Sequence, residues 1–380
     1  MPNIFKNKKI LILKKKKKSF YYDLLIKGII KYGMPKKVFF IEYDSSSNIF
    51  EINKNIRKLI FQNKIDIFII TSFYFVDPEF LKSIQGKVFR IKIDGDDLAL
   101  FDVYSKFYSK LYDLNITNTL EIHNKLKANG CNSLIYASPV FNNYLKKKKS
   151  KKNKNYEVSF IGLIRNQRVD QIKLLKKNKI EIQCFGDNPI SSYLSQKKYF
   201  NTIKNTKINL NFSSLSHNFD EIYFEKKKIS KLKNMQGRIF EVLSCKCFLL
   251  TEYNSTLNYF FKPGKDFEVF KTNNELLEKI KFYLKNNKLR EKIANHGYKT
   301  FIKKYEFKTY MPTFINQISS FRLKIIKIDK VKCPKEVKIF FTEKYVSIRS
   351  FLQYGFYVSI YKYFDVSLIL KKIFKKFLRI

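Results

Sequence analysis

The chain has 380 residues, of which 45% are hydrophobic and 17% aromatic, so it is long and apolar enough for two folded domains and is not intrinsically disordered. Its net charge of +44 would ordinarily indicate a nucleic-acid partner, but the chain is rich in residues with A/T-rich codons, including 38 Phe and 25 Tyr. We therefore attribute much of the lysine excess to codon usage and expect no specific nucleic-acid partner. Anions such as nucleotide diphosphates or acidic lipid headgroups are still expected to be attracted.

Short apolar runs alternate with helical patterns through residues 1–145. Ser19 is a candidate cap for a helix from Phe20 to Tyr32, with Gly33 just past its end. The other predicted elements of this half are strands at Lys9–Leu13, Val38–Tyr43, Ile65–Thr71, Val88–Ile93, Ile116 and Leu134–Ala137, and helices near Ser105–Tyr112 and Leu120–Asn129. Such alternation predicts an N-terminal domain with a parallel sheet covered by helices on both faces.

Residues 146–154 form a lysine-rich break of the kind that links domains, and the alternation resumes over residues 155–330. The predicted elements there are strands at Val158–Ile161, Ile180–Phe185, Ile208–Phe212 and Phe248–Thr251, and helices at Val169–Lys177, Arg238–Leu243, Asn274–Leu284 and Lys288–Tyr305. The predicted fold class is therefore α/β, with two Rossmann-like domains. In such a pair of domains, a ligand cleft is expected at the carboxyl ends of the strands.

The pattern changes at about residue 331, and residues 331–380 are predicted to be a basic, aromatic, mainly helical tail in which Val337–Phe341 is a candidate strand. Near the end, four lysines are interspersed with four apolar residues that recur at helical spacing. These apolar residues are Leu370, Ile373, Phe374 and Phe377. This pattern fits either an amphipathic helix on a membrane surface or a helix packed on the body of the protein.

Other features of the sequence limit its location and its cofactors. The apolar run Ile10–Leu13 is too short for a signal peptide, and no run reaches the roughly 18 apolar residues that a membrane span needs. We expect a cytoplasmic protein, with or without peripheral contact at the inner face of the membrane. The five cysteines and three histidines are scattered, so they predict neither a disulfide framework nor a metal site.

A glycine and two arginines follow the predicted strand that ends at Ile161. Gly162 permits close approach to the backbone, and Arg165 and Arg168 lie just before a predicted helix. Helix N-terminal amides and guanidinium groups bind phosphate, so this segment is a candidate phosphate cradle. A glycine turn with solvated arginines explains the same residues. The segment contains neither a dinucleotide fingerprint nor a P-loop.

A second candidate site begins where a polar loop enters a helix. Gln236 and Gly237 precede Arg238, and Glu241 lies one turn further along the helix. The glycine would expose backbone amides to an anion, Arg238 would add charge, and the Glu241 carboxylate could accept hydrogen bonds from ribose hydroxyls. An ordinary surface ion pair between Arg238 and Glu241 is the alternative.

The run from Gln236 to Glu252 (QGRIFEVLSCKCFLLTE) resembles the signature of the CgeB-like glycosyltransferases, a branch of the group-1 glycosyltransferases. The likeness covers about residues 155–310 well and the N-terminal half loosely. Its other matching positions are Ser159–Gly162, Lys207–Ser213, Phe261–Asp266, Glu275–Ile280, Arg290, Ile293, Ala294 and Gly297.

The resemblance implies the GT-B fold, a nucleotide-sugar donor held mainly by the C-terminal domain, and no obligatory metal or other cofactor. It implies that Gly237 and Arg238 meet the diphosphate, that Glu241 meets the ribose, and that Glu252 faces the cleft. The sequence departs from the family at Lys246, where the family usually has glycine. Lysine adopts a positive φ at a greater energetic cost than glycine, which puts the turn at this position in doubt.

The N-terminal domain is expected to carry the acceptor and a catalytic base. Asp96 and Asp97 follow a predicted strand, where a carboxylate could deprotonate an acceptor hydroxyl, although capping of the next helix explains them as well. His217, in a long polar loop, is another candidate base, and a solvated loop histidine is the alternative.

These observations favour transfer of a sugar from a nucleotide diphosphate sugar to a polysaccharide, glycolipid or protein acceptor. Arg238 and Arg168 would stabilise the leaving diphosphate. Two other functions remain open: a sugar-nucleotide epimerase of the same fold, and a non-catalytic basic protein that binds nucleic acid or an anionic membrane.

Overall fold

The computed structural model describes most of the chain, with several gaps. The described residues are 2–16, 20–44, 46–71, 74–95, 97–138, 154–164, 167–186, 194–215, 232–321, 333–335, 337–338, 342 and 364–377. The chain divides into two compact units, one formed by residues 1–136 together with 314–380 and the other by residues 137–313. Of the predicted linker 146–154, only Lys154 lies within the described residues, and the predicted domain boundaries remain a prediction.

The first unit contains a six-stranded parallel sheet with the strand order β2-β1-β3-β4-β5-β6. Its strands are β1 (Lys9–Lys15), β2 (Lys37–Tyr43), β3 (Ile67–Thr71), β4 (Phe89–Asp94), β5 (Leu114–Thr117) and β6 (Ser133–Ile135). β3 is buried along its whole length, as expected for a central strand covered on both faces.

Helices connect these strands, as parallel pairing requires. They are α1 (Phe20–Gly33), α2 (Ile49–Asn63), α3 (Pro78–Ser83), α4 (Asp97–Leu100), α5 (Lys106–Tyr108) and α6 (Leu120–Ala128), with a π-helical turn at Phe101–Ser105 and a 3-10 turn at Ser109–Leu111. The sequence analysis did not predict α2 or α3. Both have polar N-caps, because Asn48 accepts from two amides of α2 and Asp77 accepts from one amide of α3.

The second unit contains a separate five-stranded parallel sheet with the order β11-β10-β9-β7-β8. Its strands are β7 (Tyr156–Ile161), β8 (Ile182–Phe185), β9 (Thr206–Asn211), β10 (Leu249–Glu252) and β11 (Glu268–Phe270). The prediction of two independent parallel sheets is therefore confirmed, with β3 and β10 in different sheets. The short strand β11 was not predicted.

Helices connect the strands of this sheet, and apolar side chains from three helices of this unit form one core with the strands. The helices of this unit are α7 (Gln167–Lys177), α8 (Gln196–Lys204), α9 (Arg238–Ser244), α10 (Leu257–Phe260), α11 (Asn273–Lys285) and α12 (Asn287–Lys304). α12 passes very close to the loop before β11 at Gly297. A Cβ at this position would lie 2.1 Å from the carbonyl oxygen of Asp266 and 2.7 Å from a methyl of Leu243.

Helix α13 (Phe307–Ser319) follows, and the last described element is α14 (Val366–Phe377). Phe364, just before α14, packs on Phe75 of the first unit with a ring separation of 5.1 Å. Ile369 is buried, whereas Leu370 is 45% exposed. Among the described residues, no helix is both long enough and apolar enough to cross a membrane.

The candidate strand Val337–Phe341 is wrong for its described residues, because Val337 and Lys338 are helical. The Lys338 amide donates to the Pro334 carbonyl at 3.1 Å, and the Thr342 hydroxyl donates to the Lys338 carbonyl at 2.8 Å. Both contacts join residues four apart, which is the spacing of an α-helical turn. The β-branched and aromatic residues of this run therefore misled a prediction based on strand propensity.

We predict that Gly297→Ala destabilises the protein, although alanine is favoured over glycine in a helix by about 1 kcal/mol. The new methyl would meet a backbone oxygen that cannot move aside, and such overpacking costs about 1–3 kcal/mol or more. Urea unfolding compares this variant with Lys303→Ala, an exposed change on the same helix. A Gly297→Ala protein as stable as the wild type would contradict the close contact.

Candidate functional site

The carboxyl ends of β7, β8, β9 and β10 lie at one edge of the second sheet because all these strands are parallel. Gly162 follows β7 and Gly186 follows β8, while Asn211 ends β9 and Glu252 ends β10. This edge of an open α/β sheet is where ligands bind in folds of this type. The described sequence candidates of the second unit lie on the strand ends, loops and helices next to this edge.

Arg238, the first residue of α9, lies over the end of β7. Its guanidinium is 5.2 Å from the ring centroid of Phe160, and its Nη1 donates to Asn211 Oδ1 at 3.0 Å. A Cβ at Gly162 would lie 2.9 Å from Arg238 Nη2, so the absence of a side chain at position 162 makes room for the guanidinium. The structure thus brings the two sequence motifs together into one half-buried, positively charged position.

Helix α9 keeps its geometry despite the lysine that follows it. Lys246 has φ 58°, so it adopts the left-handed conformation that the family resemblance placed in doubt. The Lys246 amide donates to the Leu243 carbonyl and the Cys247 amide to the Val242 carbonyl, which together form a Schellman motif. A non-glycine residue in this conformation costs about 1–2 kcal/mol.

Glu241 lies one turn into α9 and is 3% exposed. The hydroxyl of Tyr199, on α8, donates a short hydrogen bond to Glu241 Oε2. Burial raises the pKa of Tyr199 well above its usual value, and the adjacent Glu241 charge raises it further while Arg238 lowers it. Tyr199 therefore stays protonated and remains a hydrogen-bond donor to Glu241.

Arg168, in α7, is buried and bonded to the backbone. Its Nη1 donates to the Leu163 carbonyl at 2.9 Å, and its Nη2 donates to the Ser214 carbonyl at 2.6 Å. Burial lowers the pKa of Arg168 to about 10, with a smaller contribution from the nearby Arg238 charge. In this structure Arg168 joins the loop after β7 to the loop after β9.

Glu252, at the end of β10, has a buried carboxylate that accepts several hydrogen bonds. Its Oε2 accepts the Ser213 and Ser214 amides, each at 3.0 Å, and the Ser214 hydroxyl at 2.6 Å. Its Oε1 lies 3.1 Å from Lys233 Nζ. Glu252 therefore holds the loop after β9 against the segment that leads into α9.

The remaining sequence candidates are only partly covered by the structure. Gln236 and Gly237 lie within the described residues, half-buried just before α9. Arg165, Asp96 and His217 lie outside the described residues. Asp97 is the first residue of α4, which agrees with a helix-start position, but its side chain is outside the described part.

Three residues of this site escaped the sequence analysis: Tyr199, Asn211 and Phe160. Asn211 and Phe160 belong to predicted strands that end at the site, so their positions carried a usable signal. Tyr199 carried none, because α8 itself was not predicted and its partner lies 42 positions away in the chain.

Residues 165–316 match a family model described as glycosyl transferase-like. The match contains α9 with Arg238 and Glu241, and it excludes the first sheet. No curated protein sequence matches the chain.

Solved structures match a larger part of the chain than the family model does. Their sequence identities to it are low, so the likeness shows the fold alone. The chain is similar to the sucrose-phosphate synthase of Thermosynechococcus elongatus, with a TM-score of 0.58 and 7% identity over 82% of this chain and 98% of that one. It is similar to Anabaena HepE in complex with UDP-glucose, with a TM-score of 0.55 and 11% identity over 82% and 99%. A putative UDP-N-acetylglucosamine 2-epimerase from Listeria monocytogenes is similar with a TM-score of 0.50 and 10% identity over 82% and 95%. The chain has an α/β GT-B fold, and the family match lies within residues 165–316.

We predict that Glu252→Gln lowers the free energy of unfolding by about 2–3 kcal/mol, because an amide group cannot accept all the hydrogen bonds that this buried carboxylate accepts. Urea unfolding measures the loss, and Glu278→Gln, an exposed change on α11, is the matched control. Equal stability of the two variants would show that Glu252 does not hold the loops together.

Proposed function

We propose that this protein is a glycosyltransferase that moves a sugar from a nucleotide diphosphate sugar to a hydroxyl of a polysaccharide, glycolipid or protein acceptor. The observation that carries the proposal is the position of Arg238 and Glu241 at the carboxyl edge of the second sheet, where Asn211 orients Arg238 and the Tyr199 hydroxyl orients Glu241. The match of residues 165–316 to a glycosyl transferase-like family supports it.

Arg238 is proposed to bind the diphosphate of the donor. Its guanidinium is half-buried and oriented by Asn211 and Phe160, so little side-chain entropy remains to be lost on binding. Sugar transfer leaves negative charge on the departing diphosphate, and a preorganised cation next to it lowers the barrier. As the family resemblance implies, we propose that this stabilisation requires no metal ion. The Gln236 and Gly237 backbone and Gly162 would lie beside the same phosphates.

Glu241 is proposed to bind the ribose hydroxyls of the donor. A carboxylate has about four acceptor sites and can therefore accept from ribose hydroxyls, and the Tyr199 hydroxyl orients this one. Glu241 lies one helical turn from Arg238. This spacing would let Glu241 contact the ribose while Arg238 contacts the adjacent diphosphate. The UDP-glucose bound by the structurally similar HepE makes UDP the first nucleotide to test.

Arg168 and Glu252 are proposed to act as positioning residues rather than as donor ligands. Their polar atoms bind the loops after β7 and β9, so they keep Gly162 and the approach to α9 in place. Arg165 remains a proposed donor ligand. Asp96, Asp97 and His217 remain the proposed candidates for the catalytic base.

A sugar-nucleotide epimerase is the second candidate function, because a putative enzyme of that kind has a similar fold. The two functions differ in one requirement, since transfer needs an acceptor and epimerisation does not. Conversion of a nucleotide sugar in the absence of acceptor, without release of free nucleotide, would favour the epimerase.

The donor-site proposal predicts different effects for changes at its two ends. Arg238→Ala should weaken the binding of UDP, of the donor and of inorganic pyrophosphate. Loss of a charged hydrogen-bond partner costs about 1.5–3 kcal/mol, which lowers the affinity roughly tenfold to 150-fold. The nearly isosteric Glu241→Gln should weaken the binding of UDP, whereas pyrophosphate, which has no ribose, should bind with wild-type affinity. Isothermal titration calorimetry with the three ligands measures both effects.

The matched control for this experiment is Lys197→Ala, which removes an exposed positive charge on α8. If Arg238→Ala weakens pyrophosphate no more than this control does, diphosphate binding at Arg238 is wrong. If Glu241→Gln binds UDP with wild-type affinity, the ribose assignment is wrong.

We further propose that α14 makes peripheral contact with an anionic membrane. Val366 and Leu370 lie one helical turn apart and are 50% and 45% exposed, while Ile369 is buried. Lysines follow directly at positions 371 and 372, a charge pattern suited to acidic headgroups. Asp365 caps the helix by accepting from the Leu368 amide at 3.1 Å, so the exposed pair is held in a regular helix.

This contact predicts that Leu370→Ser reduces binding to vesicles containing phosphatidylglycerol by about threefold to tenfold, because Leu370 is 45% exposed and full burial of a leucine side chain is worth about 1.5–3 kcal/mol. Vesicle co-sedimentation measures the change, and Ile30→Ser, at another exposed apolar position, is the control. Equal loss in both variants, or equal binding to neutral phosphatidylcholine vesicles, would contradict a membrane role for α14.

A further inference from the structure

An open cavity of about 950 Å³ lies in the second unit, away from the site described above. It is bounded by the face of α12 and by the loop that contains Gly264 and Lys265. Glu268, the first residue of β11, also lines it. The cavity is therefore at the amino end of a strand, whereas Arg238 and Glu241 lie at the carboxyl edge of the same parallel sheet.

A basic stripe lines one side of this cavity. Lys288, Lys292, His296 and Lys299 recur at spacings of four, four and three along α12, which places them on one face of the helix. Lys265 adds a fourth ammonium group from the opposite loop. Within the described residues, no side-chain hydrogen bond or ion pair is recorded for these four lysines, so their ammonium groups are available to a ligand.

Two glutamates line the same cavity, and they offset only part of this charge. The Glu268 carboxylate is 2.9 Å from the ammonium group of Lys279, which neutralises it. Glu291 is exposed and accepts a hydrogen bond from the Asn287 side chain at 3.2 Å. The cavity therefore carries a net positive charge, and its ligand is expected to be an anion.

His296 is oriented by a buried carboxylate. Its Nδ1 is 2.7 Å from Asp266 Oδ1, and the Asp266 side chain is only 2% exposed. The Thr300 hydroxyl donates to the same oxygen, and the Lys262 amide donates to the other one. Because a carboxylate only accepts hydrogen bonds, Nδ1 donates to it. Nε2 is left for a ligand, and it donates to a phosphate oxygen in the protonated imidazolium form, in which both nitrogens carry a proton.

The close approach at Gly297 keeps this arrangement rigid. Asp266 and His296 lie 30 positions apart in the chain, and the missing side chain at Gly297 lets α12 contact the Asp266 backbone directly. A histidine with a fixed ring orientation beside several ammonium groups resembles the way that proteins preorganise donors for phosphate oxygens.

From this geometry we propose that the cavity is a second anion site, which binds a phosphate ester through Lys265, Lys292, Lys299 and His296. Its volume exceeds that of a phosphate group alone, so the ligand carries a further organic part. The ligand is either a soluble phosphate ester or the headgroup of a phospholipid, and both present the same oxygens. This site does not depend on the proposed donor site, since it shares no residue with it.

The test follows the imidazole resonances of the full-length protein by NMR while inorganic pyrophosphate is added at about 150 mM ionic strength. The chain has three histidines, so the His296 signal is assigned with His296→Gln. A saturable shift of His296 is expected. His123, in the first unit and 3.0 Å from Ser133 Oγ, should not shift and serves as an internal reference.

A pair of double variants separates specific binding from general attraction by a basic protein. Lys292→Gln with Lys299→Gln should weaken the His296 response by about tenfold or more, since two charged donors are lost. Lys303→Gln with Lys304→Gln removes the same charge from exposed positions of α12 that do not line the cavity, and should change the response by less than about twofold.

Two outcomes would overturn the site: no shift of His296, or equal weakening in both double variants. Arg238→Ala should leave the His296 response unchanged, so failure of the donor-site proposal is recognised separately. Glycerol 3-phosphate and vesicles containing phosphatidic acid then replace pyrophosphate. A His296 shift with the soluble ester alone identifies a metabolite site, a shift with vesicles alone identifies a headgroup site, and a shift with neither overturns the phosphate-ester assignment.

Discussion

The position of the Arg238 guanidinium over the end of β7 is the constraint on which the functional edge of the second sheet depends. A side chain at position 162 would begin 2.9 Å from Arg238 Nη2, so this cation can lie against Phe160 only because residue 162 is glycine. Asn211 then fixes the direction of the guanidinium from the neighbouring strand β9. The end of a strand, a glycine and the start of a helix thus together hold the Arg238 guanidinium in a fixed position.

Two charged side chains close to this cation are themselves bonded to the backbone of the surrounding loops. Arg168 and Glu252 are both buried, and each uses its polar atoms to bind backbone groups of the loops at the sheet edge. A buried charge is tolerated only when it is paired or hydrogen-bonded in this way. The hydrogen bonds of these two charges offset their cost of burial, and they hold the loops next to the residues proposed to bind the donor.

The strands were the most predictable part of the fold, because each is a run of buried apolar residues between polar segments. All six strand positions predicted within residues 1–145 and all four predicted within residues 155–330 correspond to strands of the structure. The elements that were missed are short or weakly periodic, such as β11 with three residues and α3 with six. Val337 was misread because β-branched residues favour strands only where a partner strand is present.

The sequence by itself determined the α/β fold class and the alternation of strands and helices. It also determined the local motif that places Gly237, Arg238 and Glu241 at a helix start. Those features depend on residues close together in the chain, so periodicity and spacing reveal them. The tertiary structure decided that Tyr199 contacts Glu241, that Arg168 and Glu252 hold loops, and that Asp266 orients His296. Each of these contacts joins residues about 30 or more positions apart, and only the packing of helices on the sheet brings them within hydrogen-bond distance.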